Sequence, residues 1–187
     1  MLQDDFSHQV ILIIVALFQT LYAGKQHDGK MKIQLWSVGK SNETYVKAGI
    51  DDYSARIRRY YPLEWNIIPV PKNWSTLSEA ELPRKEGELL LNMLKKDDFL
   101  VTLDRRGKQI TCEELAGLVQ SAGNGSVKNL VFLIGGAYGL DKPVLQRANF
   151  SWSLSQLVFP HQLVRLILAE QVYRACTIIR NEKYHHP

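Results

Sequence analysis

The residues of this chain best suited to chemistry lie in its last third. The apolar run 130–134 (LVFLI) stops at Gly135-Gly136, and Ala137, Tyr138 and Gly139 follow. A buried strand running into glycines brings bare backbone up to a ligand. The spacing is not the G-x-G-x-x-G of a dinucleotide site, and no Gly-Lys-Ser/Thr follows to make a P-loop. A plain strand-to-helix turn would use the same letters. Further on, LSQLVF (Leu154, Ser155, Gln156, Leu157, Val158, Phe159) combines apolar side chains with backbone polar groups. Adenine can be held by backbone N–H and C=O groups between apolar walls, and an edge strand of the core would look no different. The segment 130–175 therefore reads as a cofactor pocket, with the remainder of the chain as its support.

Other candidates surround this segment. His161 follows Pro160 at the start of the longest helix candidate. There it could act as a base, contact a phosphate, or simply cap the helix. Ser151, Ser153 and Ser155 alternate, but none stands in a G-x-S-x-G elbow, which speaks against a Ser-His hydrolase. Tyr184-His185-His186 precedes the final Pro187. Such a triplet is either an ordinary tail or a tip that stacks on bases and touches phosphates. Arg56, Arg58, Arg59, Arg105, Arg106, Lys108, Arg165 and Arg180 are spread along the sequence. Gathered on one face they would make an RNA track; otherwise they are a solvated surface.

A chain of 187 residues supports one domain with a proper core rather than two. With 45% hydrophobic and 22% charged residues its composition is that of an ordinary globular protein. A net charge of +4 is consistent with a nucleic-acid partner without requiring one. Cys112 and Cys176 have no metal-ligand spacing and suggest no disulfide framework, so no metal is expected and a reducing, cytoplasmic setting fits best. Residues 1–30 look foreign to the rest of the chain. Their apolar run 10–18 (VILIIVALF) is short against the about 20 residues of a membrane span. Asp4 and Asp5 precede it and no Lys or Arg does, which is wrong for a secretory signal. The favoured reading is a start placed too early, with the working chain beginning at Met31. An accessory helix or anchor and a signal peptide are the alternatives, and no functional expectation uses this extension.

Residues 31–187 read as one α/β domain. Lys32–Val38 alternates as a first strand and Gly39 ends it. Residues 42–60 make a helix with Val46, Ile50, Tyr53 and Ile57 on one face, stopped by Pro62. A second strand covers 65–70, and 72–78 is polar, loop-like and a candidate for mobility. A helix over 83–95 turns Leu89, Leu90 and Met93 inward. A third strand, 99–103, is apolar on both sides and ends at Asp104. Thr111 and Glu114 form a capping box that starts a helix at Cys112, and 123–125 is a turn. The fourth strand is 130–134, Pro143 opens a short helix to about Ala148, and 157–159 is a short fifth strand. His161–Ile179 is the last helix, with Val164, Leu168, Val172 and Ala175 on its inner face and Glu170–Arg174 as an ordinary surface pair. Strands alternating with helices imply a parallel sheet covered on both faces. Ligands bind such sheets beyond the carboxyl ends of the strands, where Asp104 and Gly135 fall.

Met31 to His185 resembles the RlmH family, SPOUT-class methyltransferases acting on a pseudouridine of large-subunit ribosomal RNA. The likeness begins with Met31-Lys32-Ile33-Gln34-Leu35 and Val38-Gly39. It continues through Lys85-Glu86-Gly87, Val101-Thr102-Leu103-Asp104 with Gly107-Lys108, and Leu133-Ile134-Gly135-Gly136 with Gly139-Leu140. It closes on Phe159-Pro160-His161-Gln162, Val164-Arg165, Glu170-Gln171-Val172-Tyr173-Arg174-Ala175 and Tyr184-His185. The set is specific because it runs in order without large gaps.

The resemblance implies a SPOUT-type parallel sheet flanked by helices, with a C-terminal trefoil knot, a feature otherwise essentially absent from proteins. It implies a homodimer with no membrane partner. The expected reaction is S-adenosylmethionine-dependent methylation of N3 of a pseudouridine in helix 69 of 23S ribosomal RNA, on the assembled 70S ribosome. By position, the cofactor contacts are Leu103, Gly135, Leu154, Ser155, Gln156, Leu157, Val158 and Phe159. Arg165, Tyr184 and His185 are the expected RNA contacts, the tail serving the partner subunit's site. The catalytic base is not announced; His185 and His161 are the candidates. The family's tail usually carries a basic residue where this chain has His186, whose charge is weaker at pH 7. Two other functions compete on the letters alone: a non-catalytic RNA-binding α/β module, which would need no cofactor, and a tethered or secreted hydrolase, which lacks a nucleophile motif.

Overall fold

The structure, a computed structural model, describes residues 31–185. The expectations for residues 1–30 and for His186 lie outside the described residues. Five parallel strands form one sheet in the order β2-β1-β4-β3-β5. They are β1 (Lys32–Val38), β2 (Leu63–Ile68), β3 (Phe99–Lys108), β4 (Asn129–Ile134) and β5 (Phe150–Trp152). The helices are α1 (Thr44–Ile57), α2 (Glu81–Met93), α3 (Cys112–Asn124), α4 (Lys142–Arg147) and α5 (His161–Ile179).

Burial explains the letters of the central strand. In β4, Leu130, Phe132 and Ile134 enter a core shared with Ile57 of α1, Leu115 of α3 and Leu168 of α5. Val131 and Leu133 enter a second core with Leu90 of α2 and Val144 of α4. A strand covered on both faces has no polar side to alternate with, and so reads as an unbroken apolar run. The capping box at α3 forms as expected. Thr111 Oγ accepts from Glu114 N at 3.2 Å, and Glu114 Oε2 accepts from Thr111 N at 2.7 Å.

Helix α5 is tied to the start of the domain by a buried cation. Arg165 is 1% exposed. Its Nε donates to Ser37 Oγ at 2.8 Å, and one terminal nitrogen donates to Lys40 O at 2.8 Å and Asn42 Oδ1 at 3.0 Å. Gln162 adds to this clamp, accepting from Glu43 N at 3.1 Å and donating to Ser41 O at 3.3 Å. On the neighbouring helix, Gly49 leaves room for Leu166: a β-carbon there would lie 2.8 Å from Leu166 Cδ1.

Several sequence expectations need correction. Residues 157–159 are not a strand. Leu157 and Val158 are 70% and 81% exposed, and the fifth strand is Phe150–Trp152, paired with Val101–Leu103. Apolar letters alone do not say which segment finds a neighbour to pair with. Strand β3 does not end at Asp104 but runs to Lys108, its register with Trp152 shifting between Leu103 and Lys108. Met93 is 39% exposed; the inner face of α2 is Glu86, Gly87 and Leu90. Asn42 stays out of α1 and serves the Arg165 clamp instead. The stretch 72–78 holds a 3₁₀ turn, Lys72–Trp74, and Ser78 Oγ donates to Glu81 Oε2 at 2.7 Å. Helix α3 continues through Gly123 to Asn124.

Two stability outcomes are expected from these contacts. A β-carbon on Gly107 would lie 2.5 Å from Ser151 O and 2.9 Å from Trp152 N, backbone that cannot swing aside. Gly107→Ala is expected to cost about 1–3 kcal/mol by overpacking, read from chemical denaturation. Arg165→Ala removes a hydrogen-bonded buried cation and strands its acceptors. It should lower unfolding free energy by about 2–4 kcal/mol in the same assay, and an unchanged midpoint would disprove the clamp.

Candidate cofactor site

Beyond the carboxyl ends of β3 and β4 lies a cleft of about 500 Å³, within the range of small-molecule sites and at the end of the sheet where parallel folds bind ligands. Leu103 ends the buried part of β3 and forms its floor with Ile134. The turn after β4 forms one wall. Gly139 has φ +83° and its N–H donates to Gly136 O at 3.0 Å, so the chain folds back on itself there. The turn leaves no room at Gly135, where a β-carbon would lie 2.8 Å from Leu140 Cγ and 3.0 Å from the Gly139 carbonyl carbon. At Gly136 a β-carbon would strike the carboxylate of Glu86.

The opposite wall is the loop after β5. Two serines shape it: Ser153 Oγ donates to Ser155 O at 3.1 Å, and Ser155 Oγ accepts from Leu157 N at 3.0 Å. The loop presents Leu154, Leu157, Val158 and Phe159 to the cleft. Of the residues expected to hold a cofactor, Leu103, Gly135, Leu154, Ser155, Leu157, Val158 and Phe159 line the cleft, and Gln156 does not. The remaining alternating serine, Ser151, is absorbed by the sheet, 2.9 Å from Thr102 Oγ1.

At the mouth stand Asp104, which the sequence put beyond a strand end, and Arg105 and Arg106, which it left among scattered basic residues. Asp104 accepts from Arg106 Nε at 2.9 Å and from its terminal nitrogen at 2.8 Å. Those bonds hold the Asp104 carboxyl below its ordinary range. Arg105 and Tyr138 also line the mouth, Tyr138 at 51% exposure. His161 lines the same cleft. Lost hydration, and secondarily the Arg165 charge, push its imidazole below the ordinary value.

The expected RNA contacts fall elsewhere in this chain. Arg165 is buried, and its donors are engaged within the chain by Ser37, Lys40 and Asn42. Tyr184 and His185 do not line the cleft. The Tyr184 ring packs edge-on against Tyr173 at 4.7 Å, under the Arg174 guanidinium at 4.9 Å, and its hydroxyl reaches Glu170 at 3.1 Å. Burial, with the neighbouring Tyr53 and Glu170, raises the Tyr184 pKa. His185 Nε2 lies 2.7 Å from Glu113 Oε1. Glu170 and Arg174 are thus not an ordinary surface pair. Glu170 also accepts from Gln171 Nε2 at 2.6 Å, and the pair is the centre of the cluster that seats the tail. Pair spacing was visible in the letters; the aromatic lid over it was not.

Among the described residues no group of His, Cys, Asp or Glu is placed to hold a metal ion, and no helix is long and apolar enough to cross a membrane. Residues 31–185 match the family model described as "Predicted SPOUT methyltransferase". A ribosomal RNA large subunit methyltransferase H from Cytophaga hutchinsonii is 46% identical over 156 residues, covering 83% of this chain and 100% of that protein. Proteins of the same description from Parabacteroides distasonis and Acetivibrio thermocellus are 43% and 45% identical, each covering 83% of this chain and 99% of its own length. Among solved structures, a probable methyltransferase from Bordetella pertussis Tohama I aligns over 88% of this chain and 98% of that chain, with TM-score 0.49 and 11% identity. By the family model and these relatives, the chain belongs to the ribosomal RNA large subunit methyltransferase H (RlmH) family of SPOUT methyltransferases.

Proposed function

We propose that this protein methylates N3 of a pseudouridine in helix 69 of 23S ribosomal RNA, on the assembled 70S ribosome, using S-adenosylmethionine. The observation that carries the reading is the cleft itself, which joins a bare glycine turn to an apolar wall. SPOUT methyltransferases use S-adenosylmethionine, and the residues present suit it. Leu103, Leu154, Leu157 and Val158 offer apolar surface for an adenosyl group, and the backbone at Gly135 is free of side chain.

When bound, S-adenosylmethionine supplies a methyl group already activated by its sulfonium. What remains for the chain is to position the acceptor, exclude water and receive a proton. We assign the N3 proton to His161: its position in the cleft lining and its lowered pKa, which favours the neutral imidazole, support that reading. His185 is bonded to Glu113 away from the cleft and is the weaker choice within one chain. Arg165 would serve RNA indirectly, by holding the loop at residues 39–43 beside the start of α5. Family membership further supports a homodimer in the cytoplasm, with Tyr184 and His185 serving the partner subunit's RNA, and a trefoil knot in the C-terminal half.

Calorimetry on residues 31–187 tests the cofactor reading. The parent should bind S-adenosylmethionine. Val158→Asp, at a position 81% exposed, should weaken binding about tenfold through lost apolar contact and an unpaired charge, without lowering the thermal midpoint. A folded parent that binds none would return the chain to the non-catalytic RNA-binding module. Methylation of 70S ribosomes tests the base. His161→Gln should reduce turnover about a hundredfold or more with cofactor affinity unchanged. Because burial lowers the imidazole pKa, parental turnover should persist to more acidic pH than an ordinary histidine base would allow, and fall as His161 protonates. A Gln variant with the parental rate and profile would remove His161 from the mechanism.

A further inference from the structure

The basic residues spread along the sequence meet different fates in the fold. Arg165 is buried, Arg56 pairs with Asp52 at 2.9 Å, Arg106 pairs with Asp104, and Lys108 lies 3.8 Å from Glu114. Arg58 caps α1 with Arg59 next to it, and Arg180 caps α5. Those two helix ends meet. Tyr60 Oη donates to Glu182 Oε2 at 2.6 Å, the Arg56 guanidinium lies 5.6 Å from the Tyr173 ring, and the hydroxyls of Tyr53 and Tyr184 are 3.4 Å apart. Asn181, at φ +55°, turns the chain after α5. Lys183 therefore stands between two residues held by the α1 segment, Glu182 and Tyr184.

Four cations share this end of the domain without counter-charges. Arg58, Arg59, Arg180 and Lys183 are exposed. Among the described residues, none of their side chains makes a hydrogen bond or an ion pair. The acids of these segments are engaged: Asp52 by Arg56, Glu170 by Arg174, and Glu182 by the Tyr60 hydroxyl. Other helical surfaces of the protein set cations beside acids, Lys47 with Asp51 and Lys85 with Glu88. Like charges gathered without partners repel one another and leave a positive potential over the surface. A polyanion relieves that repulsion, and phosphate oxygens accept well from guanidinium groups.

We propose that this end of the domain, carrying Arg58, Arg59, Arg180 and Lys183, is a surface for the RNA phosphate backbone, separate from the cleft. The proposal rests on the reading that the substrate is ribosomal RNA and extends it. Helix α5 begins with His161, which lines the cleft, and runs for 19 residues. At 1.5 Å per residue that is about 28 Å, so surface and cleft lie at opposite ends of one helix. Contacts so placed touch no reacting atom. They add affinity and fix how a large RNA lies across the protein, without reading its sequence.

The test follows binding of the full 187-residue chain to 70S ribosomes over a salt series, beside methylation kinetics. Arg58→Ala/Arg59→Ala should weaken binding about tenfold and flatten the slope of log Kd against log salt by about 1.5. KM for ribosomes should rise with it, while kcat and S-adenosylmethionine affinity stay within about twofold of the parent. Arg58→Lys/Arg59→Lys keeps the charges and should remain within about threefold of the parent, because a phosphate also accepts a point charge. Lys72→Ala/Lys96→Ala removes two exposed cations from loops outside this surface and should change binding less than about twofold. Equal weakening by that control overturns the proposal, since net charge alone would explain the effect. Parental affinity and salt slope in Arg58→Ala/Arg59→Ala also overturn it; a lowered thermal midpoint would then assign both arginines to the end of α1. So does a fall in kcat with KM unchanged, or a parent that binds no ribosomes. If the parent binds ribosomes and transfers no methyl group, the methyltransferase reading fails and the binding series alone decides this surface.

Discussion

A single guanidinium, out of reach of water, joins the two ends of the folded domain. Among the described residues Arg165 forms no ion pair; Ser37, Lys40 and Asn42 supply its acceptors instead. A buried cation is tolerated only when its donors are satisfied, so the loop at residues 39–43 and the first turns of α5 must take up their positions together. The cleft depends on that same choice, because α5 begins where the wall at residues 154–159 ends. His161, four residues earlier on the helix, has its pKa lowered by its own burial and, secondarily, by the charge of the clamp. One polar anchor thus sets the fold of the first loop and the entry angle of the last helix, and its charge adds to the effect of burial on His161, which lines the cleft.

The two walls of the cleft solve different problems. The glycine turn is crowded from behind: Leu140 presses on Gly135 and Glu86 on Gly136, so the turn has little freedom to move. Rigid backbone suits precise positioning of a transferred group. The facing loop is held by serine hydrogen bonds yet leaves Leu157 and Val158 largely in water. Large exposed apolar side chains at a cleft mouth mark a surface meant to be covered.

The tail shows how a short segment is given a defined place. Tyr184 lies among Tyr53, Tyr173 and Arg174, with its hydroxyl on Glu170. Aromatic edges, a stacked guanidinium and a charged acceptor are separately modest. Acting on one ring they seat the last described turn of the chain against α5, on a face separate from the cleft.

Much of this protein was legible in its letters. The unbroken apolar run of β4, the Thr111–Glu114 box and the whole span of α5 are local patterns, decided by residues a few positions apart. The ordered motifs from Met31 to His185 carried the family, and most of the residues placed from them by position at the cofactor do line the cleft. What the letters could not decide were partnerships across long separations. Ser37 meets Arg165 across 128 residues, so a clamp between the two ends of the domain could not be read from either segment alone. Phe150–Trp152 became the fifth strand because β3 lay beside it, while the equally apolar residues 157–159 were left to the cleft. The sequence expected Leu89, Leu90 and Met93 on the inner face of α2, and only the approach of that helix to Gly136 buried the Glu86 side chain. Local periodicity determines which element forms; which side chains lose their water, and beside whom, is settled only when distant segments pack.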